Sequence, residues 1–211
     1  MRNLIAISAA LCLAGCSGSS QQPQSQSTSQ AQAHAPDVYK VNLDTSKGPI
    51  VIEVHRDWAP LGADHFYELV KSGFYDGARF FRVLPGFMAQ FGIAADPKVN
   101  AKWKDATLQD DPVKQSNTRG MVTYAKTSLP NSRSTQLFIN TGNNARLDSD
   151  GFAPFGQVLS GMEVVDQFYN GYGEGAPQGR GPDQSQINEQ GIAYLEKDFP
   201  MLDYIKKATV Q

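Results

Sequence analysis

An arginine among large apolar residues is the first feature of this sequence that could do chemistry. It lies in the segment Phe80-Phe81-Arg82-Val83-Leu84, where the alternation of a β-strand would place Phe80, Arg82 and Leu84 on one face. A guanidinium stays charged, and its desolvation is costly unless it has a partner. The residues alone leave two interpretations open. Either Arg82 binds a partner at that face, or it covers apolar surface with its charged head in water.

The sequence gives little support for other common catalytic, phosphate-binding or metal sites. Both cysteines lie in the first sixteen residues, so the rest of the chain has no disulfide, thiolate metal site or cysteine nucleophile. No phosphate-binding loop or Gly-x-Ser-x-Gly motif occurs. Asp148-Ser149-Asp150-Gly151 resembles part of a calcium loop, but the first ligand position would fall on Arg146. His55 and His65 are isolated, and we expect His65 to be exposed or to cap its helix. We therefore expect neither a metal nor a cofactor.

The composition is that of a globular protein without the basic excess that binds polyanions. Of the 211 residues, 40% are hydrophobic and 19% charged, with 19 Lys and Arg against 21 Asp and Glu. The formal net charge of −2 argues against nucleic acid as a partner, because such partners select a basic excess. The length suits one domain with appendages, and we expect a monomer.

The first residues have the character of an export signal. Arg2 precedes a short apolar run, Leu4 to Leu13, which is too short to span a bilayer as a helix. Leu13-Ala14-Gly15-Cys16 resembles the bacterial lipobox, which implies cleavage after residue 15 and lipidation of Cys16. An ordinary signal peptide is the alternative. Because Ser17 stands where an Asp would retain a lipoprotein in the inner membrane, the resemblance implies a cell-envelope protein, on the periplasmic face of the outer membrane in a Gram-negative source.

The chain then divides into a tether and a domain. Residues 16–36 begin with the expected lipidated cysteine, are rich in Ser, Gln, Ala, Gly and Pro, and carry no charged side chain other than a potentially protonated His34. Such a segment buries too little apolar surface to fold, and we expect a flexible tether. Residues 37–211 have the patterning of a single domain, with an additional C-terminal loop and helix over residues 171–200.

Alternating apolar residues predict an opening hairpin over residues 39–54, and helical spacing with Pro60 and Gly73 predicts a helix after it. Further short strands are predicted at Arg79–Leu84, Phe87–Phe91, Gly120–Ala125, Gln136–Asn140, Phe155–Leu159 and Asp203–Val210. A capping-box pattern at Ser160–Glu163 predicts a helix to about Phe168, and we expect another helix over Ser185–Lys197. Many short strands with few helices favour an antiparallel sheet that closes on itself to hide its edges.

Four ordered motifs carry a resemblance to a known family. Phe81-Arg82-Val83-Leu84-Pro85-Gly86-Phe87-Met88-x-Gln90 resembles the signature of the cyclophilin-type peptidyl-prolyl isomerases. Gly120–Ala125, Ser134–Asn140, and Leu147-Asp148 with Phe155–Val158 resemble three later segments of that family. The resemblance implies a mainly β fold, a closed eight-stranded antiparallel barrel capped by two helices. It also implies isomerisation of X–Pro bonds in proline-containing polypeptides.

The resemblance also assigns roles to individual residues. Arg82 matches the catalytic arginine of the family, and Gln90 matches the glutamine that positions it. The resemblance places Phe87, Met88, Phe138 and Leu147 in the proline pocket and Gln136 beside it. Ala125 and Lys126 would bind the peptide through their backbone, and Phe152 lies near the position of a family histidine.

Three departures from the family pattern bear on function. Arg146 stands where many members have tryptophan, a contact for cyclosporin, so we expect weak cyclosporin binding. Phe81 and Phe152 lie at or near two histidine positions. Since Arg82 is retained, we expect activity in the folding of secreted or envelope proteins. The alternatives are a non-catalytic proline-peptide-binding or chaperone module and a purely structural envelope lipoprotein.

Overall fold

The computed structural model describes residues 34–211, which form one unit with its own core. The predicted signal peptide, Cys16 and most of the tether lie outside the described residues. The last residues of the tether segment contact the domain: the Ala35 amide and the His34 imidazole each lie 3.1 Å from a carboxylate oxygen of Asp64. Among the residues described, no helix is long and apolar enough to cross a membrane.

The opening hairpin follows directly from the alternation of the sequence. Strand β1, Val38–Thr45, pairs antiparallel with β2, Pro49–His55. Tyr39, Val41 and Leu43 are buried while their neighbours face outwards. Helix α1, Pro60–Lys71, begins with proline in its first turn, where no intrahelical N–H is needed, and it packs against the sheet.

The remaining strands are short, as predicted, and the remaining helices are short as well. The strands are β3 Arg82–Leu84, β4 Met88–Phe91, β5 Met121–Tyr124, β6 Leu137–Asn140, β7 Pro154–Ser160 and β8 Ile205–Val210. The helices are α2 Pro97–Trp103, α3 Met162–Val165, α4 Gln184–Gln190 and α5 Ile192–Asp198.

All eight strands belong to one antiparallel sheet in the order β3-β4-β6-β5-β7-β2-β1-β8. The predicted fold is confirmed, but the term closed overstates it, since β3 and β8 do not pair as strands. Three backbone hydrogen bonds between residues 77–80 and 203–205 and one isolated bridge, Arg79 to Tyr204, join the two edges. The sheet is therefore a curled half-barrel with a short seam.

The two faces of the sheet have different roles. Val83, Ala89, Ile139 and Val122 are opposite one another across four strands and point into the main core. The alternate residues Arg82, Gln90 and Phe138 are also opposite one another. Because side chains alternate between faces, this second row points to the outside of the curled sheet. These three predicted site residues thus share the outer face.

The helices differ from the predictions at three places. The capping box at Ser160 does not form, because the chain turns at Gly161 with φ +95° and α3 has only four residues. A Cβ at Gly161 would come within 2.6 Å of the Pro49 carbonyl oxygen. The predicted helix over Ser185–Lys197 is split into α4 and α5 at Gly191, whose φ is +60° and whose backbone lies against Pro97. Helix α2 was not predicted.

His65 also differs from expectation. It is neither exposed nor a cap, but is buried on α1 with its ring 5.7 Å from that of Trp103. Burial lowers its pKa to about 4.

Candidate active site

The outer face of β3 and β4 holds Arg82 in a fixed position. The register places Arg82 directly opposite Gln90, and Arg82 Nη1 donates to Gln90 Oε1 at 3.0 Å. The same nitrogen lies 3.7 Å from the sulfur of Met88. Cross-strand pairing therefore brings together three residues of the first motif through the tight turn between the two strands.

A series of glutamine side chains continues from Arg82. Gln90 Nε2 donates to Gln136 Oε1 at 2.8 Å, and Gln136 Nε2 donates to Gln184 Oε1 at 3.0 Å. Gln90 is buried, and its amide uses both its oxygen and its nitrogen in this series. The orientation of Gln90 is thereby fixed, which in turn fixes Arg82.

A cavity of about 270 Å³ lies beside the guanidinium. Its apolar wall includes Met88 and Phe138, both buried, and Phe138 lies at 6.0 Å from the ring of Phe152. The lining residues are Arg82, Phe87, Met88, Gln90, Ala125, Lys126, Phe138, Leu147, Phe152, Glu174 and Gln184. The site thus combines an apolar wall with a charged planar donor at its edge.

The structure brings all the predicted site residues of the domain together. Nine of them line this cavity. Gln136 lines an adjoining polar groove that shares Gln90, Ala125, Lys126 and Gln184 with it. The Ala125 amide donates to the Gln136 carbonyl at 2.9 Å, so its amide is already used within the sheet, and any pairing of Ala125 with a peptide would come from its carbonyl.

Sequence reasoning missed two residues of this cavity, Gln184 at the start of α4 and, in direct contact with Arg82, Glu174. Glu174 lies in the glycine-rich loop between α3 and α4, and its carboxylate contacts Arg82 twice, at 2.5 Å to Nε and 2.8 Å to Nη2. The hydrogen bond from Arg82 lowers the pKa of Glu174, and a bond from the Gly175 amide adds to this effect. The expectation that Arg82 needs a partner was the available signal, but the partner is 92 residues away in the sequence.

Two further cations stand at the rim of the cavity. The Lys126 ammonium lies 5.2 Å from the ring centre of Phe152, and the Arg146 guanidinium 4.8 Å from that of Phe87. Such contacts with the ring face are favourable. Arg146 therefore covers Phe87 at the position where tryptophan was the family expectation, and weak cyclosporin binding stays a prediction. Among residues 34–211, no group of three or more His, Asp or Glu side chains is placed to hold a metal ion.

Comparison with known proteins gives a consistent family. The model of the family described as "Cyclophilin type peptidyl-prolyl cis-trans isomerase/CLD" matches residues 40–190. A peptidyl-prolyl cis-trans isomerase of Acinetobacter baylyi is 38% identical over 143 residues, which are 65% of this chain and 76% of that protein. Peptidyl-prolyl cis-trans isomerase A of Dickeya dadantii is 40% identical over 138 residues, 60% of this chain and 69% of that protein.

Solved structures agree on the fold. A cyclophilin-type isomerase of Cryptosporidium parvum superposes with a TM-score of 0.60 at 20% identity, covering 82% of this chain and 98% of that one. The same isomerase crystallised in the presence of the dipeptide Ala-Pro gives a TM-score of 0.58 at 19% identity, with the same coverage. The predicted family and enzyme class are confirmed: the chain belongs to the cyclophilin-type peptidyl-prolyl cis-trans isomerases.

Proposed function

We propose that this chain accelerates X–Pro isomerisation through Arg82, which stabilises the twisted amide above the apolar cavity. The uncatalysed barrier is about 20 kcal/mol and comes from amide resonance. Rotation removes that resonance, so the prolyl nitrogen becomes pyramidal and its lone pair is localised on it. No covalent bond is made or broken, so a donor that binds the twisted form more strongly than the planar one is sufficient.

The observation that carries this proposal is the placement of the guanidinium. Gln90 and the strand register hold Arg82 at the edge of the cavity, so its N–H groups need little reorganisation when charge develops on the amide. Guanidinium remains protonated at any physiological pH, and the donor is therefore always charged.

The apolar wall supplies the second requirement. Met88, Phe138 and Leu147 line a space that suits a pyrrolidine ring, and burial of that ring would hold it while the preceding residue rotates. The related Cryptosporidium protein was crystallised in the presence of Ala-Pro, which is consistent with a small proline-containing ligand here.

Turnover at substoichiometric protein tests the proposal. The test is exchange NMR on an Ala-Pro peptide, with the full-length chain at a small fraction of the peptide concentration. Cis–trans exchange should be much faster than the uncatalysed reaction, which takes ~10–100 s per event. A binding module would broaden the peptide signals only in proportion to the bound fraction and would leave exchange of the free peptide unchanged. That result would exclude an enzyme and favour a proline-peptide-binding or chaperone module.

We further propose that the protein is anchored by lipid at Cys16 and assists folding of secreted or envelope proteins. The support is the sequence Leu13-Ala14-Gly15-Cys16 and the polar segment after it. In a Gram-negative host the native chain should then fractionate with the outer membrane and carry lipid by mass spectrometry. Cys16→Ser should abolish the lipid adduct. An unmodified native chain in the soluble periplasmic fraction would contradict the anchor.

A further inference from the structure

The guanidinium of Arg82 is largely engaged before any substrate arrives. Its five N–H groups include one on Nε and two on each terminal nitrogen. Nε and Nη2 donate to the Glu174 carboxylate, and Nη1 donates to Gln90. Gln90 is a neutral acceptor within the sheet, whereas Glu174 adds a full negative charge that neutralises the cation. Glu174 also lines the cavity itself.

The loop around Glu174 is folded to present this residue. The Gly181 amide donates to the Glu174 carbonyl at 2.8 Å, and the Gly175 amide donates to its carboxylate at 3.0 Å. A Cβ at Gly179 or Gly181 would overlap with the Glu174 backbone, so the glycines allow the chain to wrap closely around it. The contact with Arg82 is thus made by a structured loop and not by a side chain at the end of a free segment.

The helices that follow this loop pack against the residue next to Arg82. Phe81 is buried in a second apolar cluster with Ile187, Tyr194 and Leu195 of α4 and α5. This cluster explains why a phenylalanine stands beside Arg82, where the family resemblance implies a histidine. It holds α4, and with it the end of the loop, next to β3, and keeps Glu174 within reach of Arg82.

We propose that Glu174 is a specificity-determining residue that competes with the substrate for Arg82 and so raises KM. This inference rests on the proposed function of Arg82. The Glu174 carboxylate lines the same cavity and occupies the Nε and Nη2 donors. On this proposal, a prolyl carbonyl reaches those donors only when the carboxylate has moved away. Affinity falls in proportion to the fraction of molecules in which Arg82 is free.

The strength of the competition follows from the exposure of the pair. The Arg82 side chain is 22% exposed and that of Glu174 is 37% exposed, so water weakens the ion pair and allows it to open. The lowered pKa of Glu174 keeps the carboxylate charged at neutral pH. A partly exposed pair of this kind corresponds to about a two- to fivefold effect on affinity.

The substitution Glu174→Gln tests the inference, because it removes the charge and keeps the size of the side chain. With a neutral Ala-Pro peptide and the full-length chain, we expect KM to fall about two- to fivefold while kcat does not fall. Glu189→Gln, on the exposed surface of α4, makes the same change in net charge and should leave KM as in the native chain. Thermal unfolding of each variant reports whether the fold is kept.

The dependence of KM on ionic strength is a second test, because a purely structural role of Glu174 would not produce it. Salt screens the pair between Glu174 and Arg82, so the KM of the native chain for a neutral peptide should fall as salt is raised. In Glu174→Gln, this dependence should be absent or much smaller. Equal salt dependence in both proteins would contradict the competition.

The outcomes separate this inference from the proposed function. If the native chain accelerates exchange but Glu174→Gln has an unchanged or higher KM, or a lower kcat, the competition is wrong and the isomerase proposal stands. A lower kcat would instead make Glu174 a positioning residue. If neither protein accelerates exchange while both remain folded, both proposals are overturned.

Discussion

Arg82 is oriented by contacts on two sides of its guanidinium. Gln90 accepts a hydrogen bond from one terminal nitrogen, and Glu174 accepts from Nε and the other terminal nitrogen. The ring centre of Phe87 lies 5.7 Å from the guanidinium carbon. Of these, Gln90 comes from the neighbouring strand and is itself fixed by Gln136. At the scale of single residues, Gln90 is therefore the neutral side chain that holds Arg82 from within the sheet.

Replacing Gln90 with leucine should reduce turnover more than binding. Leucine is similar in size but accepts no hydrogen bond, and a hydrogen bond to a charged group is worth about 1.5–3 kcal/mol. We expect kcat to fall about tenfold or more, with a smaller change in KM, in peptide exchange NMR. Gln190→Leu, on the exposed part of α4, is the matched control. A Gln90→Leu protein with native kcat would show that Arg82 needs no support from this side chain.

At the scale of elements, a buried ion pair connects the start of α1 to the segment that leads into β6. Asp111 accepts from the Leu61 and Gly62 amides at 3.1 and 2.9 Å, and Arg133 Nη1 donates to it at 3.0 Å. Both charged side chains are only 2% exposed. Since Gln136 lies three residues after Arg133, this pair also helps to place the polar side of the site.

The substitution Asp111→Asn should destabilise the fold strongly. It removes the nearer of two carboxylates from the buried Arg133, which keeps only Asp110 at 3.5 Å. We therefore expect a cost of about 3 kcal/mol, the lower end for breaking a buried pair. Urea unfolding should show a loss of this order in the free energy of unfolding. Asp105→Asn, at an exposed pair with Lys104, should change it by less than about 1 kcal/mol. Similar effects for both variants would mean that the buried pair contributes nothing beyond a surface pair.

The sequence was most informative where patterns are local. Alternation located the opening hairpin, because burial of one face leaves a period of two in the sequence. The other strands were located to within a few residues as short apolar runs, and β4 and β6 are buried on both faces. Helix α2 was missed although Asp96-Pro97 is a start signal: Asp96 accepts from the Lys98 amide as an N-cap. The break at Gly191 depends on contact with Pro97, far away in the chain, which local patterning does not contain.

At the scale of the whole molecule, contacts between distant parts of the chain determine the features of the site that could not be predicted from the sequence. The row Arg82, Gln90 and Phe138 was predictable because the family motifs and the strand register place it. The ion pair with Glu174 was not, because a glycine-rich loop has no periodicity that predicts its path. The same holds for Phe81, whose burial depends on α4 and α5 packing against it.

The buried His65 makes global stability depend on pH. Its pKa is lowered to about 4 by burial, whereas an unfolded histidine titrates near 6.5. The unfolded state therefore binds the proton first as pH falls, and stability present above about pH 6.5 is lost towards pH 4, by at most about 3 kcal/mol.

Denaturant unfolding across this pH range tests the effect. His65→Phe keeps an aromatic ring beside Trp103 and Tyr124 and removes the titrating group. The free energy of unfolding of the native chain should fall more steeply between pH 6.5 and 4 than that of the variant. Parallel pH profiles would show that His65 does not titrate with unfolding.

We expect Arg82 to act on the twisted amide and not merely on the bound peptide. The most direct measurement compares the native chain with Arg82→Ala in exchange NMR on an Ala-Pro peptide, together with peptide affinity by titration. Exchange should fall by about a hundredfold or more, as for loss of a single oxyanion-type donor, with the fold retained and affinity within a few-fold of native. Exchange that persists in Arg82→Ala, or that falls only as far as peptide affinity falls, would contradict this role of the arginine.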